Sequence, residues 1–294
     1  MKPVAFDYLR PNSADEALAG LAEYGEDAVL LAGGMSLGPM LNMRLVRPSV
    51  LIDLNGVTGL DEIRASGNAI ITGATARQAH ILKNGMIADR VALLKMALRH
   101  VGHFQTRNRG TIGGSVAHAD PSAEIPLVLV TLGGKIALTS GKNQQRLAAA
   151  EDFFQGVLMT DCRPGEMLVA LHWPYLPPHT GFGFEEVAAR QGDLAVAAVA
   201  CAVNLDRGGE IEELRLGLGG VEDRPRRLDT RAVIGQPADE QAAQAVADQA
   251  FATVDPMEDP AIGADYRRAL VRSLAFKAVG KAFADAKGKG RTDG

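Results

Sequence analysis

Residues 1–55 alternate between short apolar runs and stretches with helical periodicity. The apolar runs predict three strands, at Val4 to Tyr8, Val29 to Ala32 and Val50 to Leu54. Ser13 and Glu16 have the spacing of a capping box, which predicts a helix from there to Gly25. Because strands joined by crossover helices are parallel, this stretch is predicted to form a small parallel α/β subdomain.

The pattern changes after residue 56. Two alternating apolar runs flank Gly67 and Asn68, which is typical of a β-hairpin. Helical periodicity then runs from Ala76 to His103, followed by a predicted loop, RNRGTIGGSVAHADPSAEIP, and a helix-to-strand run through Leu138. Residues 56–176 are therefore predicted to form a second subdomain, mixed or antiparallel and of α+β type.

A proline-rich linker at 174–178 separates this part from a third pattern. Three apolar runs with turn residues between them predict a three-stranded antiparallel meander, at 182–189, 194–205 and 211–218. Alanine-rich helical segments from Asp239 to Ala286 are predicted to pack on the meander. The chain is thus predicted to be an α+β protein with domains at 1–176 and 178–286, and with a flexible tail at 287–294.

The segment LAGGMSLGPM, residues 31–40, follows the second predicted strand and opens a helix at Ser36. Its glycines allow close backbone approach, so consecutive amides can converge on a phosphate. The segment matches neither GxGxxG nor GxxxxGKS/T, which argues against a Rossmann or Walker phosphate site. Taken alone, the segment is better explained as a strand-to-helix turn that needs glycine than as a cofactor site.

A second glycine segment, Thr111 to Ser115, also places paired glycines between hydroxyl residues. It continues into His118, Asp120 and Glu124. Two such segments can hold one diphosphate from both sides, and the two carboxylates offer partners for the hydroxyl groups of a ribose or ribityl chain. The pair of segments therefore predicts a diphosphate-bearing cofactor.

Composition restricts the other classes of function. The formal net charge is −4, without a long basic stripe outside the last residues, so nucleic-acid binding is not expected. The N-terminal sequence MKPVAFDYLR lacks the apolar core of a signal peptide, and no window has the length of a membrane span. We expect a cytoplasmic protein.

Histidine, cysteine and arginine residues outside the glycine segments suggest no further chemistry. His100 and His103 can share a helix face, but without clustered carboxylate or cysteine partners a metal site is not predicted. The two cysteines, Cys162 and Cys201, are interpreted as small buried hydrophobic residues, and any metal centre is expected on another chain. The cluster Arg224, Arg226 and Arg227 is interpreted as a solvated turn or a subunit contact.

Three ordered motifs resemble the FAD-binding subunits of molybdenum hydroxylases, a family that includes the medium subunit of aerobic carbon monoxide dehydrogenase. The motifs are the AGGxSL segment at Ala32 to Leu37, the TxGG segment continuing from Thr111 to Pro126, and RxGDxA from Arg190 to Ala195. The resemblance covers nearly the whole chain. It implies an FAD-binding domain of the vanillyl-alcohol oxidase-like type, followed by a C-terminal flavoprotein domain.

The resemblance also implies which residues bind FAD. Ala32 to Ser36 and the second glycine segment would bind the diphosphate, Glu124 the sugar-like part, and Asp193 and Leu194 would lie near the flavin ring. Met35 and Ser115 depart from the commonest family pattern, which affects side-chain contacts but not backbone amides. The implied set is Ala32, Gly33, Gly34, Met35, Ser36, Leu37, Thr111, Gly113, Gly114, Ser115, His118, Glu124, Asp193 and Leu194.

By the same resemblance, this chain relays electrons through FAD to an external acceptor and has no catalytic side chain of its own. A large partner subunit would carry the molybdopterin cofactor and a small one two two-iron two-sulfur clusters, in a dimer of heterotrimers. Two alternatives stay open at this point: a stand-alone flavin oxidase or reductase of the same wider fold, and a scaffold that has lost the cofactor. The sequence names neither the substrate nor the electron acceptor.

Overall fold

The computed structural model describes residues 1–142 and 144–290. The N-terminal elements are β1 (Asp7–Leu9), α1 (Ala14–Tyr24), β2 (Ala28–Leu31), α2 (Leu37–Asn42) and β3 (Val50–Asp53), with 3-10 turns at Gly25–Asp27 and Leu54–Gly56. The strands form a three-stranded sheet of order β1-β3-β2 in which both pairs are parallel. The predicted small parallel α/β subdomain is confirmed.

Helix α1 begins as its capping residues predict. The Oγ of Ser13 accepts a hydrogen bond from the backbone N–H of Glu16 at 3.2 Å, and the Glu16 carboxylate accepts one from the N–H of Asn12 at 2.8 Å. The helix ends at Gly25, whose φ of 53° lies in the region that favours glycine. The buried face of α1 packs with β3 in one small apolar core.

The second subdomain contains an antiparallel sheet and a set of short helices. Its sheet has the strand order β4-β5-β10-β6-β7, and every adjacent pair is antiparallel. The predicted hairpin is its first pair. The elements are β4 (Ile63–Ser66), β5 (Ala69–Gly73), α3 (Gln78–Lys83), α4 (Gly85–Arg90), α5 (Ala92–Ala97), α6 (Phe104–Arg109), α7 (Ile112–His118), α8 (Glu124–Leu132), β6 (Lys135–Thr139), β7 (Gln145–Ala149), α9 (Ala150–Phe153), β8 (Phe154–Gly156), β9 (Met159–Thr160) and β10 (Met167–Pro174).

Two expectations for this subdomain need correction. The helical stretch at 76–103 is three short helices, because Asn84 caps α4 by accepting from the N–H of Ile87 and Val91 interrupts the chain again. The segment predicted as a loop holds the end of α6, all of α7 and the start of α8. Thr111 caps α7 through a hydrogen bond from the N–H of Gly114, so the second glycine pair lies in the first turn of a helix.

The C-terminal part forms a four-stranded antiparallel sheet of order β11-β12-β13-β14 with two helices. The three predicted strands are confirmed, and the short β14 extends the sheet. Arg226 and Arg227, interpreted as part of a solvated turn or subunit contact, lie in β14 and pair with Glu222 and Glu151. The elements are β11 (Gly181–Ala188), β12 (Ala195–Leu205), β13 (Ile211–Gly219), β14 (Arg226–Leu228), a 3-10 turn at Arg231–Val233, α10 (Glu240–Thr253) and α11 (Ala264–Gly290).

This sheet is covered on both faces. One face packs with α10 and α11 in an apolar core of its own. The other contributes Phe184, Ala198 and Ala200 to the main core, together with Leu127 of α8 and Trp173 of β10. The C-terminal part is therefore joined to the preceding subdomain by a continuous apolar core.

Helix α11 extends further than the sequence predicts. It continues to Gly290, where the prediction has a flexible tail from 287, because Lys287 donates from Nζ to the carbonyl of Ala238 at 2.6 Å. Residues 291–294 of the predicted tail lie outside the described residues. Among the residues described, no helix combines the length and apolar character needed to cross a membrane.

Candidate functional site

The two glycine segments meet at their backbones. The first leaves the carboxyl end of β2, and the second opens α7. A methyl group placed on Gly33 would lie 2.5 Å from the carbonyl oxygen of Arg109 and 2.9 Å from the Cα of Gly110. Only a residue without a side chain allows this approach, so the glycine serves a close backbone contact between the segments.

The second segment is equally tight. The hydroxyl of Thr111 accepts from the N–H of Gly114 at 3.1 Å, and a methyl group on Gly114 would lie 2.6 Å from that hydroxyl oxygen. A methyl group on Gly113 would meet the carbonyl of Ala74 at 2.6 Å. Gly34, in the first segment, has φ of 72°, which a glycine adopts without strain. Together these positions leave room only for backbone at the wall where the segments meet.

Both segments line one cleft of about 730 Å³, within the range of sites that hold a small molecule or cofactor. The small parallel sheet, the second subdomain and the loop between β11 and β12 all contribute to its wall. All fourteen residues of the implied FAD-binding set lie on this wall. The fold thus brings together residues that are up to 162 positions apart in the sequence, from Ala32 to Leu194.

Glu124 is the buried acidic group of the cleft. Its side chain lies at the start of α8 and the residue is 7% exposed. Burial, with smaller contributions from the negative charges of Glu186 and Asp120, raises the pKa of Glu124 to about 8. At neutral pH this carboxyl group is protonated, and it can donate as well as accept a hydrogen bond from a ligand hydroxyl.

Glu186 of β11 is a second carboxyl group with a raised pKa, and its negative charge acts on Glu124. Burial raises the pKa of Glu186 to about 7, and His100 Nδ1 lies 3.8 Å from one of its oxygens. His100 also packs against the ring of Phe184, with centroids 5.0 Å apart. His100 therefore contacts the C-terminal sheet, and its predicted partner on a shared helix face, His103, lies outside any helix.

The loop between β11 and β12 contributes Gly192, Asp193 and Leu194 to the cleft wall. Gly192 lies so close to His103 that a methyl group on it would be 2.9 Å from the imidazole Cε1. Asp193 pairs with Arg190 at 3.0 Å, while Leu194 is 65% exposed at the cleft wall. This loop therefore presents an apolar side chain and a carboxylate beside the glycine segments.

Sequence reasoning missed several residues of the cleft. Gln78 is the most informative, because its Oε1 is buried without a hydrogen-bond partner among the described residues. A buried carbonyl of this kind requires a donor, which a bound ligand can supply. No glycine motif marks Gln78.

The two cysteines differ in their surroundings. Cys162, predicted to be buried, is exposed and lies on the cleft wall, whereas Cys201 is fully buried as predicted.

The site has the donor set of a protein that binds a large diphosphate-bearing cofactor. Residues of both glycine segments line the cleft with the buried carboxyl group of Glu124 and with Gln78, whose Oε1 has no hydrogen-bond partner among the described residues. In the second segment the N–H groups of Ile112, Gly113 and Ser115 donate to backbone carbonyls and that of Gly114 donates to the Thr111 hydroxyl. No charged side chain is needed at the glycine wall, since backbone N–H groups bind phosphate oxygens directly. The fold and the cleft are those of a protein that binds a cofactor between its subdomains.

Comparison with known proteins identifies the family. Residues 4–176 match the family described as FAD binding domain in molybdopterin dehydrogenase, and residues 182–282 match the CO dehydrogenase flavoprotein C-terminal domain. The chain belongs to this family of FAD-binding subunits of molybdenum hydroxylases. It carries FAD, and it is an oxidoreductase component rather than a stand-alone flavin oxidase.

Several relatives match this chain over essentially their full length. The caffeine dehydrogenase subunit beta of a Pseudomonas species is 33% identical, over 96% of each chain. A carbon monoxide dehydrogenase structure from Hydrogenophaga pseudoflava superimposes with a TM-score of 0.93 at 34% identity, covering 97% of this chain and 99% of that one. A structure of quinoline 2-oxidoreductase from Pseudomonas putida gives a TM-score of 0.92 at 35% identity, with coverage of 97% and 99%.

Proposed function

We propose that this chain receives electrons from iron–sulfur clusters on a small partner subunit and delivers them to an external acceptor. FAD, when bound, supplies the exchange of one or two electrons that such a relay needs. The cysteine content supports a division between chains, because two cysteines in the whole sequence are too few to hold an iron–sulfur cluster. A large partner subunit would then hold the molybdenum cofactor and select the substrate.

The fourteen implied residues bind FAD in three groups. Backbone amides of Ala32 to Ser36, followed by Leu37, hold the diphosphate from one side. The hydroxyl groups of Thr111 and Ser115 hold it from the other, where Gly113 and Gly114 carry no side chain; the backbone N–H groups of Ile112 to Ser115 already donate within the protein. Glu124 binds hydroxyl groups of the sugar-like part, and His118, at the end of α7, completes this wall. Asp193 and Leu194 border the flavin ring. The observation that carries the proposal is the presence of all these positions on one cleft wall.

Gln78 adds a contact that the motifs do not include. Gln78 lines the same cleft, and its buried Oε1 has no donor among the described residues. Its backbone N–H donates to the carbonyl of Gly110 at 3.0 Å, which fixes the residue beside the second glycine segment. We assign Gln78 to the FAD-binding residues on this basis.

Assembly and location form a further part of the proposal. The chain pairs with the large and small subunits in a dimer of heterotrimers, and it works in the cytoplasm. Two free cysteines, one of them exposed, are compatible with a reducing compartment. The FAD-binding domain spans 1–176, with subdomains at about 1–55 and 56–176, and the C-terminal domain spans 178–286. The absence of regular structure between β10 and β11 in the described chain supports this boundary.

The identity of the bound cofactor tests the assignment of the glycine segments. The full-length chain is stripped of cofactor and titrated with FAD, FMN or riboflavin while flavin fluorescence is followed. Two segments that hold a diphosphate predict tight binding of FAD and much weaker binding of FMN, which carries one phosphate. Equal affinity for FAD and FMN would contradict a diphosphate site.

A further inference from the structure

A line of polar side chains connects the two glycine segments. Asn55 follows β3 in the 3-10 turn Leu54–Gly56. Its Nδ2 donates to the carbonyl oxygen of Ala32 at 2.8 Å. Ala32, directly before the two glycines of the first segment, is therefore held by a side chain that follows the end of the neighbouring strand.

The other end of Asn55 reaches the second segment through an arginine. Its Oδ1 accepts a hydrogen bond from Nη2 of Arg77, and Nη1 of Arg77 donates to the carbonyl oxygen of Arg109. Arg109 is two residues before Thr111, the cap of α7. The carbonyl of Ala32 and the carbonyl of Arg109 are thus joined through two side chains.

The carbonyl of Arg109 is also the atom that Gly33 faces most closely. A methyl group on Gly33 would lie 2.5 Å from this oxygen. Arg77 therefore holds the backbone group against which the first segment packs. The backbone around Arg77 is tied to the second segment as well, since Arg77 forms an isolated antiparallel bridge with Thr111 and the N–H of Ile112 donates to the carbonyl of Ala76 at 3.0 Å.

Asp53, the last residue of β3, fixes the orientation of the Asn55 amide. Its carboxylate accepts hydrogen bonds from the backbone N–H of Asn55 at 3.0 Å, from Asn55 Nδ2 and from the hydroxyl of Tyr8. Burial raises the pKa of Asp53, but the hydrogen bonds from Tyr8 and Asn55 outweigh it and hold the pKa below its ordinary value. An ionised carboxylate accepts only, so it keeps the NH₂ of Asn55 towards itself and Ala32 and the oxygen towards Arg77.

We propose that Asn55 and Arg77 are positioning residues that fix the distance between the two diphosphate-binding segments and thereby determine how long FAD stays bound. In the described part of the chain, neither side chain lies on the cleft wall, so each acts through the backbone that it holds. This inference rests on the proposed function. It concerns a pair of side chains that lie 22 residues apart in the sequence.

The physical reason is preorganisation. A diphosphate held from two sides binds best when the groups that bind it on each side stay at the required separation before binding. Hydrogen bonds to a charged group are stronger than neutral ones, and losing one leaves backbone carbonyls without a donor. Removing Arg77 or Asn55 is therefore expected to accelerate FAD release by roughly 10- to 100-fold.

The test uses the full-length chain loaded with FAD. Asn55→Ala and Arg77→Ala are compared with wild type and with Arg99→Ala, a control at an exposed arginine outside the cleft wall. The rate of FAD release is measured from the recovery of flavin fluorescence on dilution, and the affinities for FAD and FMN are measured by titration. Circular dichroism and melting temperature without cofactor establish that each variant is folded.

A positioning role predicts faster FAD release and a larger loss of affinity for FAD than for FMN, because one phosphate does not need both segments. Arg77→Lys, which keeps the charge and one reachable donor, is expected to release FAD at an intermediate rate. A role confined to general stability would instead lower both affinities by the same factor. That result, or release at the wild-type rate, would overturn the positioning role while leaving FAD binding by the wild-type chain intact. A wild-type chain that fails to bind FAD would overturn the proposed function as well.

Discussion

Replacing Gly33 by alanine is expected to weaken FAD binding without unfolding the chain. The new methyl group would lie 2.5 Å from the Arg109 carbonyl oxygen, 2.9 Å from the Gly110 Cα and 3.1 Å from the Thr111 nitrogen. All three are backbone atoms, so none can rotate away. Because non-bonded carbon contacts are most favourable near 3.5 to 4.0 Å, the two glycine segments must separate by about 1 Å.

The magnitude follows from overpacking. Forcing an extra methyl group into a packed contact costs typically about 1 to 3 kcal/mol. If the chain relieves this strain by opening the cleft wall, the same energy appears as a loss of affinity, which corresponds to roughly 5- to 150-fold weaker FAD binding. The expected result is therefore a rise in the FAD dissociation constant within this range.

Gly38→Ala is the matched control. Gly38 lies in α2, five residues from Gly33, and a methyl group on it would meet nothing within 4 Å. Fluorescence titration with FAD measures the dissociation constant of both variants, and melting curves without cofactor measure their stability. FAD affinity equal to wild type in Gly33→Ala, or equal losses in both variants, would refute the steric reasoning.

Three further predictions concern the buried groups and the packing of the fold. Without cofactor, the contribution of Glu124 to wild-type stability should be fully present below the ordinary pKa of a glutamate and be lost as pH rises through its folded-state pKa of about 8, since the folded state resists losing that proton. Urea midpoints should therefore fall less between pH 5 and 9 in Glu124→Gln than in wild type, and the same pH profile in both would contradict the buried protonated carboxyl. Trp173→Phe removes the hydrogen bond from the indole N–H to the Thr72 hydroxyl at 3.0 Å in the main core. We expect the free energy of unfolding, measured with urea, to fall by about 1 to 3 kcal/mol. A variant as stable as wild type would show that this hydrogen bond does not stabilise the core. A methyl group on Gly183 would overlap the carbonyl of Ala278 in α11, whereas one on Gly280 would meet nothing within 4 Å. Gly183→Ala should therefore lower the melting temperature through overpacking, and Gly280→Ala should raise it because alanine is the better helix former. Shifts of the same sign in the two variants would contradict the packing described.

Local patterns predicted much of this fold. The capping box at Ser13, the hairpin around Gly67 and the three long strands of the C-terminal sheet each depend on residues close together in sequence, and each is present. The fourth strand was not predicted, because Arg226 and Arg227 read as polar turn residues, and its pairing with β13 depends on residues outside its own segment.

The second glycine segment shows where the sequence pattern misled. Paired glycines and polar neighbours are typical of loops, but Thr111 supplies a helix cap whose hydrogen bond to Gly114 starts α7. The signal that could have predicted this helix was Thr111, a hydroxyl residue three positions before Gly114, which is the spacing of an N-cap. The long helical stretch before it was cut by Asn84, whose side chain is a better cap than a helix-interior residue.

The contacts between segments that are distant in the sequence could not be predicted from local patterns. The motifs named fourteen residues that share one cleft wall, yet they gave no indication of Gln78 or of the link from Asn55 to Arg77. The roles of these side chains depend on the groups that they contact in the folded chain. Their partners come from different strands and helices, and only the assembled fold defines them.

The measurement that tests the central assignment most directly is an absorption spectrum of the enzyme purified from its native host, read together with its subunits on a denaturing gel. An FAD-carrying subunit of a molybdenum hydroxylase should show flavin bands with iron–sulfur absorbance, two co-purifying chains, and FAD recovered in equal amount to this chain after denaturation. A colourless chain that copurifies with no partner and takes up no FAD on reconstitution would contradict it.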